Sequence, residues 1–133
     1  MSKVNKNTSY GLLALRVSVA IIFIFMGWAK LGDISAFAGM LEAKGFFAPQ
    51  FFAYLVAGVE FLGGLGVLFG VYLRFFSKLL AIVMIVALLV VHAGGEFKAA
   101  MAPIALLGST LALMFMGGGD WMLTKKDFTL LKD

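Results

Sequence analysis

Three ionisable side chains, Arg16, Lys30 and Glu60, stand in or at the end of stretches that are otherwise apolar. Glu60 is the most exceptional. It lies near the centre of Phe51 to Leu73, whose other residues carry no charge. A carboxylate at such a depth in a bilayer costs at least ~2.5 kcal/mol on insertion scales, so it normally faces the protein interior, takes a partner and marks a functional site. The chemistry open to it is ion pairing with a cation, binding of a polar head group, or proton exchange when the pair opens.

The elements that hold these groups follow from composition. Of 133 residues, 62% are hydrophobic and 14% charged, and the mean hydropathy is +1.03. That balance is far from a soluble domain and reads as an integral membrane protein. The expected fold is all-α, a four-helix transmembrane bundle forming one domain over 1–133, with spanning helices at 11–31, 51–73, 77–93 and 99–117, each near the ~20 residues a span requires. Between the first two spans, Ile34, Phe37, Ala38 and Leu41 recur at helical spacing, Asp33 or Ser35 can cap the start and Gly45 can end it. A short amphipathic helix lying on the outer membrane surface is therefore predicted. Phe46, Phe47, Phe51 and Phe52 form an aromatic rim around Pro49, which is placed to open the second span. The rim serves either as interfacial anchoring or as a portal for a lipophilic ligand. A tight inner turn is expected at Arg74 to Lys78, and Pro103 is expected in the first turn of the last helix, where its missing N–H does little harm.

A net charge of +4 would suggest nucleic acid in a soluble protein; here the cations sort by side instead. With the N-terminus cytoplasmic, Lys3, Lys6, Arg74, Lys78, Lys125, Lys126 and Lys132 lie inside and Lys30, Lys44 and Lys98 outside. Both termini are thus expected in the cytoplasm of a multi-pass cell inner membrane protein, with no nucleic-acid partner. Tyr10, Tyr72 and Trp121 at the inner ends and Trp28 at an outer one agree with this. Arg16 interrupts the first apolar stretch and no cleavage site follows, so the N-terminus reads as a signal anchor. The chain has no cysteine. Thiol relay and cluster ligation are outside its own means, and redox chemistry needs a partner.

On the first helix Arg16, Ala20, Phe23, Gly27 and Lys30 share a face. At about 1.5 Å per residue, Glu60 lies some 9 Å from the level of Lys30 and some 12 Å from that of Arg16. Both cations can reach toward it. Arg16 is the preferred partner, because a planar guanidinium suits a buried carboxylate while an ammonium near a helix end can snorkel to water. Gly63 and Gly64 share the face of Glu60 and allow close backbone approach. Two readings stand: a structural ion pair fixing helix register, and a ligand or proton site. His92 is the lone histidine, with Glu96 nearby. A hydrogen bond to a quinone carbonyl or to a partner suits it better than a metal, and no metal site is expected. Ser109 and Thr110 are expected to bond to helix backbone or across a helix pair.

The order Leu15-Arg16, then Gly27-Trp28-Ala29-Lys30-Leu31, then Glu60-Phe61-Leu62-Gly63-Gly64 with Gly70 and Arg74, resembles the DoxX family of small four-helix membrane proteins. Met26 stands where members often carry a polar residue, commonly histidine, so that position brings no acid–base group. The resemblance implies the membrane-bundle fold. It directs attention to Arg16, Gly27, Lys30, Glu60, Gly63, Gly64, Gly70 and Arg74, and links the chain to quinone-coupled and oxidative-stress oxidoreductases. Whether the chain is itself an enzyme stays open. The leading reading is the membrane subunit of a quinone-linked oxidoreductase, with a noncovalent quinone and a soluble or membrane partner subunit. A non-catalytic scaffold bundle in the lipid bilayer, and a small transporter acting as a homo-oligomer, are the alternatives.

Overall fold

The computed structural model describes residues 5–91 and 94–123; Lys3, His92, Lys125, Lys126 and Lys132 lie outside them. The described residues form α1 (Lys6–Gly32), α2 (Ile34–Ala43), α3 (Pro49–Phe69), α4 (Leu73–Val86, continued by a π-helical turn at Ala87–Val91) and α5 (Phe97–Met116). Four stretches, Lys6–Gly32, Pro49–Phe69, Leu73–Val90 and Phe97–Met116, are long and apolar enough to cross a membrane.

Local chemistry sets the ends. Asn5 caps α1, its side chain accepting from Thr8 N–H at 2.8 Å. Asp33 serves twice: its backbone N–H closes α1 onto Lys30 and its side chain accepts from Ala36 N–H to start α2. Each bond satisfies a backbone group that the helix end would leave unpaired. Pro49 opens α3 at its first turn, where the missing N–H costs nothing.

The turn between α3 and α4 falls earlier than expected. α3 stops at Phe69, Gly70 takes φ +70° and Tyr72 φ +46°, and α4 begins at Leu73. Arg74 and Lys78 are therefore helical residues of α4, not turn residues. Gly70 is the C′ glycine that ends α3 in the left-handed region, which a side chain resists. Space forbids one too, since a Cβ there would come within 2.6 Å of Met122. Pro103 also differs from expectation. α5 begins at Phe97, so Pro103 is inside the helix and cannot donate to the carbonyl four residues back.

α1 packs along α3, α3 against α4, and α4 against α5, which returns to α1. The core contains Leu12, Val19, Phe23, Val67, Leu80, Met84 and Leu113, all nearly fully buried. Small residues allow the close approaches. A Cβ on Gly27 would stand 2.5 Å from the backbone nitrogen of Phe61, so α1 and α3 touch backbone to backbone. At the opposite end from α2 the start of α1 meets the segment after α5: Tyr10 and Trp121 stack at 4.9 Å and Asp120 N–H donates to Ser9 Oγ at 3.3 Å, while Leu123 N–H donates to Phe69 O at 2.8 Å. On α5, Ser109 and Thr110 donate to carbonyls of their own helix.

Candidate ligand site

α2 folds back over the bundle with Ala38 and Leu41 buried against Ala53 of α3, and Ile34, Phe37, Met40, Phe46 and Phe52 packed around them. The amphipathic helix and part of the aromatic rim therefore close one end of the bundle. Beneath them is a cavity of about 620 Å³, within the size range of small-molecule sites. Its walls come from Met26 and Lys30 of α1, Phe37, Met40 and Leu41 of α2, Phe46 of the connecting loop, Phe52, Leu55, Val56, Val59 and Glu60 of α3, and Leu79, Ile82, Val83, Met84 and Val86 of α4. Ala87, at the start of the π-helical turn, and Pro103 of α5 complete them. π-Helical turns recur at functional sites.

Lys30 and Glu60 are the charged groups in this wall. Lys30 Nζ lies 2.7 Å from Glu60 Oε1, with Glu60 1% and Lys30 22% exposed. No other described donor bonds to Oε1. The ammonium also lies 5.2 Å from the ring centroid of Phe37, a cation–π contact that ties the pair to the covering helix. The partner of Glu60 is thus Lys30, not Arg16.

Arg16 has another task, at the far end of α3. It is 1% exposed, and its guanidinium donates to Val67 O at 3.1 Å, Leu68 O at 2.9 Å, Gly118 O at 3.2 Å and Trp121 O. Two of these acceptors are in the last turn of α3, where helix carbonyls have no partner of their own. Arg74 does the same for α5, donating to Met114 O at 3.1 Å and Phe115 O at 3.0 Å.

Among the described candidate site residues, Lys30 and Glu60 are the two whose side chains meet. Gly27 serves the α1 to α3 contact; Gly63 faces the Leu80 side chain and Gly64 faces Ile24 and Ala20, so both are packing positions rather than cavity wall. His92 lies outside the described residues. Met26, Phe37, Val83 and Pro103 belong to the site without having been read as site residues. Phe37 and Met26 carried a usable signal, being respectively on the apolar face of α2 and one residue before Gly27. Among the described residues no group of three or more His, Cys, Asp or Glu side chains is placed to hold a metal.

Chemically the site is a large apolar chamber with one zwitterionic corner. The pair is neutral as a whole, so a ligand with a net charge would bury that charge uncompensated. A neutral head group fits better. Lys30 can donate to a carbonyl, and Glu60, whose Oε1 has unused lone pairs, can accept from a hydroxyl.

These features define a multi-pass membrane bundle with a lipophilic cavity. The DoxX family model matches residues 11–93, and the chain belongs to the DoxX family. It is similar to a protein named putative oxidoreductase CatD from Bacillus subtilis (strain 168), 36% identical over 97 residues covering 70% of this chain and 68% of that one. It is also similar to inner membrane protein YqjF from Escherichia coli (strain K12), 31% identical over 124 residues covering 87% and 94%. No solved structure matches the chain.

Proposed function

We propose that this chain is the membrane subunit of a quinone-linked oxidoreductase, and that it holds a quinone head group against the Lys30–Glu60 pair. The observation that carries this reading is the position of a charge-balanced donor–acceptor pair in an otherwise apolar cavity of about 620 Å³. A relative whose printed name is that of an oxidoreductase supports it. When bound, a quinone would supply the redox chemistry, with electrons from a partner subunit. The chain's own residues bind and orient. Lys30 donates to a carbonyl oxygen of the head group, Glu60 accepts from the hydroxyl of the reduced form, and the apolar wall excludes water and holds the ring. In its ion pair with Lys30, Glu60 also stands where it can pass a proton to or from that oxygen.

Binding of a quinone analogue by the purified protein, followed by quenching of tryptophan fluorescence, tests this. Lys30→Met and Glu60→Gln are each expected to weaken binding about tenfold or more, because a charge-assisted hydrogen bond contributes roughly 1.5–3 kcal/mol. Unchanged affinity in both variants would refute the assignment. The excess of Lys and Arg in the sequence flanking the start of α1, the start of α4 and the end of α5 supports placing both termini in the cytoplasm of the inner membrane. A green fluorescent protein fused to the C-terminus is then expected to be fluorescent; a dark fusion, with an active alkaline phosphatase at the same point, would reverse the orientation.

A further inference from the structure

The cavity is closed at the α2 end but open on its side. At the α2 end Leu41 is 3% exposed, and Phe37, Met40, Phe46 and Phe52 are half-buried around it. On the flank, three other wall residues face outward: Leu55 of α3 is 47% exposed, and Ile82 and Val86 of α4 are 47% and 38% exposed. The reason lies in how α3 and α4 meet. Near their connecting turn they touch, with Phe76 on the backbone at Gly66 and Leu80 on Gly63. Farther from the turn the pair diverges, and Leu55, Val56 and Val59 face Ile82, Val83 and Val86 across the cavity instead. Both rims of the gap are aliphatic and belong to helices long and apolar enough to cross a membrane, which points the gap at lipid rather than water.

We infer that ligand reaches the Lys30–Glu60 pair sideways from the bilayer, between α3 and α4, and that it is a long-tailed neutral amphiphile whose tail stays in the gap. This rests on the cavity being the quinone site. That ligand chemistry follows from the walls. The neutral pair takes a neutral polar head, the aliphatic rim takes a hydrocarbon tail, and a tail held in the gap avoids the cost of passing the more closed α2 end. Leu55 and Ile82, the outward-facing part of the wall, then become selectivity positions for the tail.

The test uses the full chain in lipid nanodiscs, with two probes: a tailless naphthoquinone and the same ring bearing a long isoprenoid tail. Leu55→Trp and Ile82→Trp fill the gap from opposite rims at lipid-facing positions, and Phe25→Trp on the 71% exposed face of α1 is the control. Both gap variants are expected to lose about tenfold more affinity for the tailed probe than for the tailless one; the control binds both normally. Equal affinity of wild type and gap variants for the tailed probe would overturn the lateral route and leave the site assignment standing. Failure of wild type to bind the tailless probe would instead sink the site assignment and this inference with it. A diazirine placed on the tail next to the ring gives a second reading without mutation. Cross-links to Leu55, Ile82 or Val86 support the route, and cross-links confined to Phe46 and Phe47 contradict it.

Discussion

Arg16→Met is expected to destabilise the bundle by about 2–6 kcal/mol. The guanidinium satisfies four carbonyl oxygens at once, those of Val67, Leu68, Gly118 and Trp121, in a place where Arg16 itself is 1% exposed. Removing it leaves the buried acceptors Val67 O and Gly118 O unpaired, at roughly 1–3 kcal/mol apiece, and returns the part-buried Leu68 O and Trp121 O to solvent at a smaller cost. Arg16→Lys is expected to recover less than half of the loss. A lysine has the charge, but its compact ammonium cannot span acceptors that a planar fork reaches. The consequence is also local, because the same contacts tie the segment from Gly118 to Trp121 against the end of α3. Unfolding of purified variants, followed by circular dichroism in mild detergent, and limited proteolysis after Met116 both report the effect. A stability loss under about 1 kcal/mol in Arg16→Met would show that these carbonyls find other partners.

The second large effect belongs to the ion pair, and it is asymmetric. Lys30→Met leaves Glu60, 1% exposed, without its cation; Glu60→Met leaves Lys30, 22% exposed, with a flexible stem that can carry the ammonium outward. Breaking a buried pair from one side typically costs 3–5 kcal/mol, so about that loss is expected for Lys30→Met and less for Glu60→Met. The double variant, Lys30→Met with Glu60→Met, is expected to be more stable than Lys30→Met alone, since two apolar side chains of similar volume replace two charges. Melting temperatures of the four proteins complete the cycle. Strict additivity would mean that the two side chains do not act on each other. A folded double variant also separates stability from ligand binding.

Much of this architecture could be read from residue types alone. The four spans follow from apolar length, α2 from the spacing of Ile34, Phe37, Ala38 and Leu41, and the starts of α2 and α3 from Asp33 and Pro49. The depth of Glu60 and its need for a cation were equally legible. The choice of cation was not, and a single glycine explains why. Hydropathy carries α3 on to Leu73, and in a helix that long the carbonyls of Val67 and Leu68 would be bonded internally, leaving Arg16 free for Glu60. Gly70 ends the helix at Phe69, those carbonyls lose their helical partners, and Arg16 is drawn to them. Glu60 is then left to Lys30. The glycine was visible as a C′ signal followed by Val71 and Tyr72, but the apolar run masked it.

The cavity itself had no comparable trace. It exists because α3 and α4 touch through Gly63 and Gly66 near their turn and separate beyond it, with α2 covering one end. Met26, Val83 and Pro103 enter its wall from three different helices. Beyond the place of Met26 one residue before Gly27, nothing in them announces a site; their role comes from tertiary placement. The glycines first read as lining the carboxylate's face turned out to set the helix contacts that shape the chamber, which places their influence on the site one step removed.

Native mass spectrometry of the protein extracted from its own membranes, with lipids retained, tests the central claim most directly. Wild type is expected to carry one quinone per chain, and the folded Lys30→Met, Glu60→Met double variant is expected to carry none. A double variant that keeps the quinone, or a wild-type bundle that emerges empty beside a stoichiometric soluble partner, would contradict the assignment of the Lys30–Glu60 pair as a quinone site.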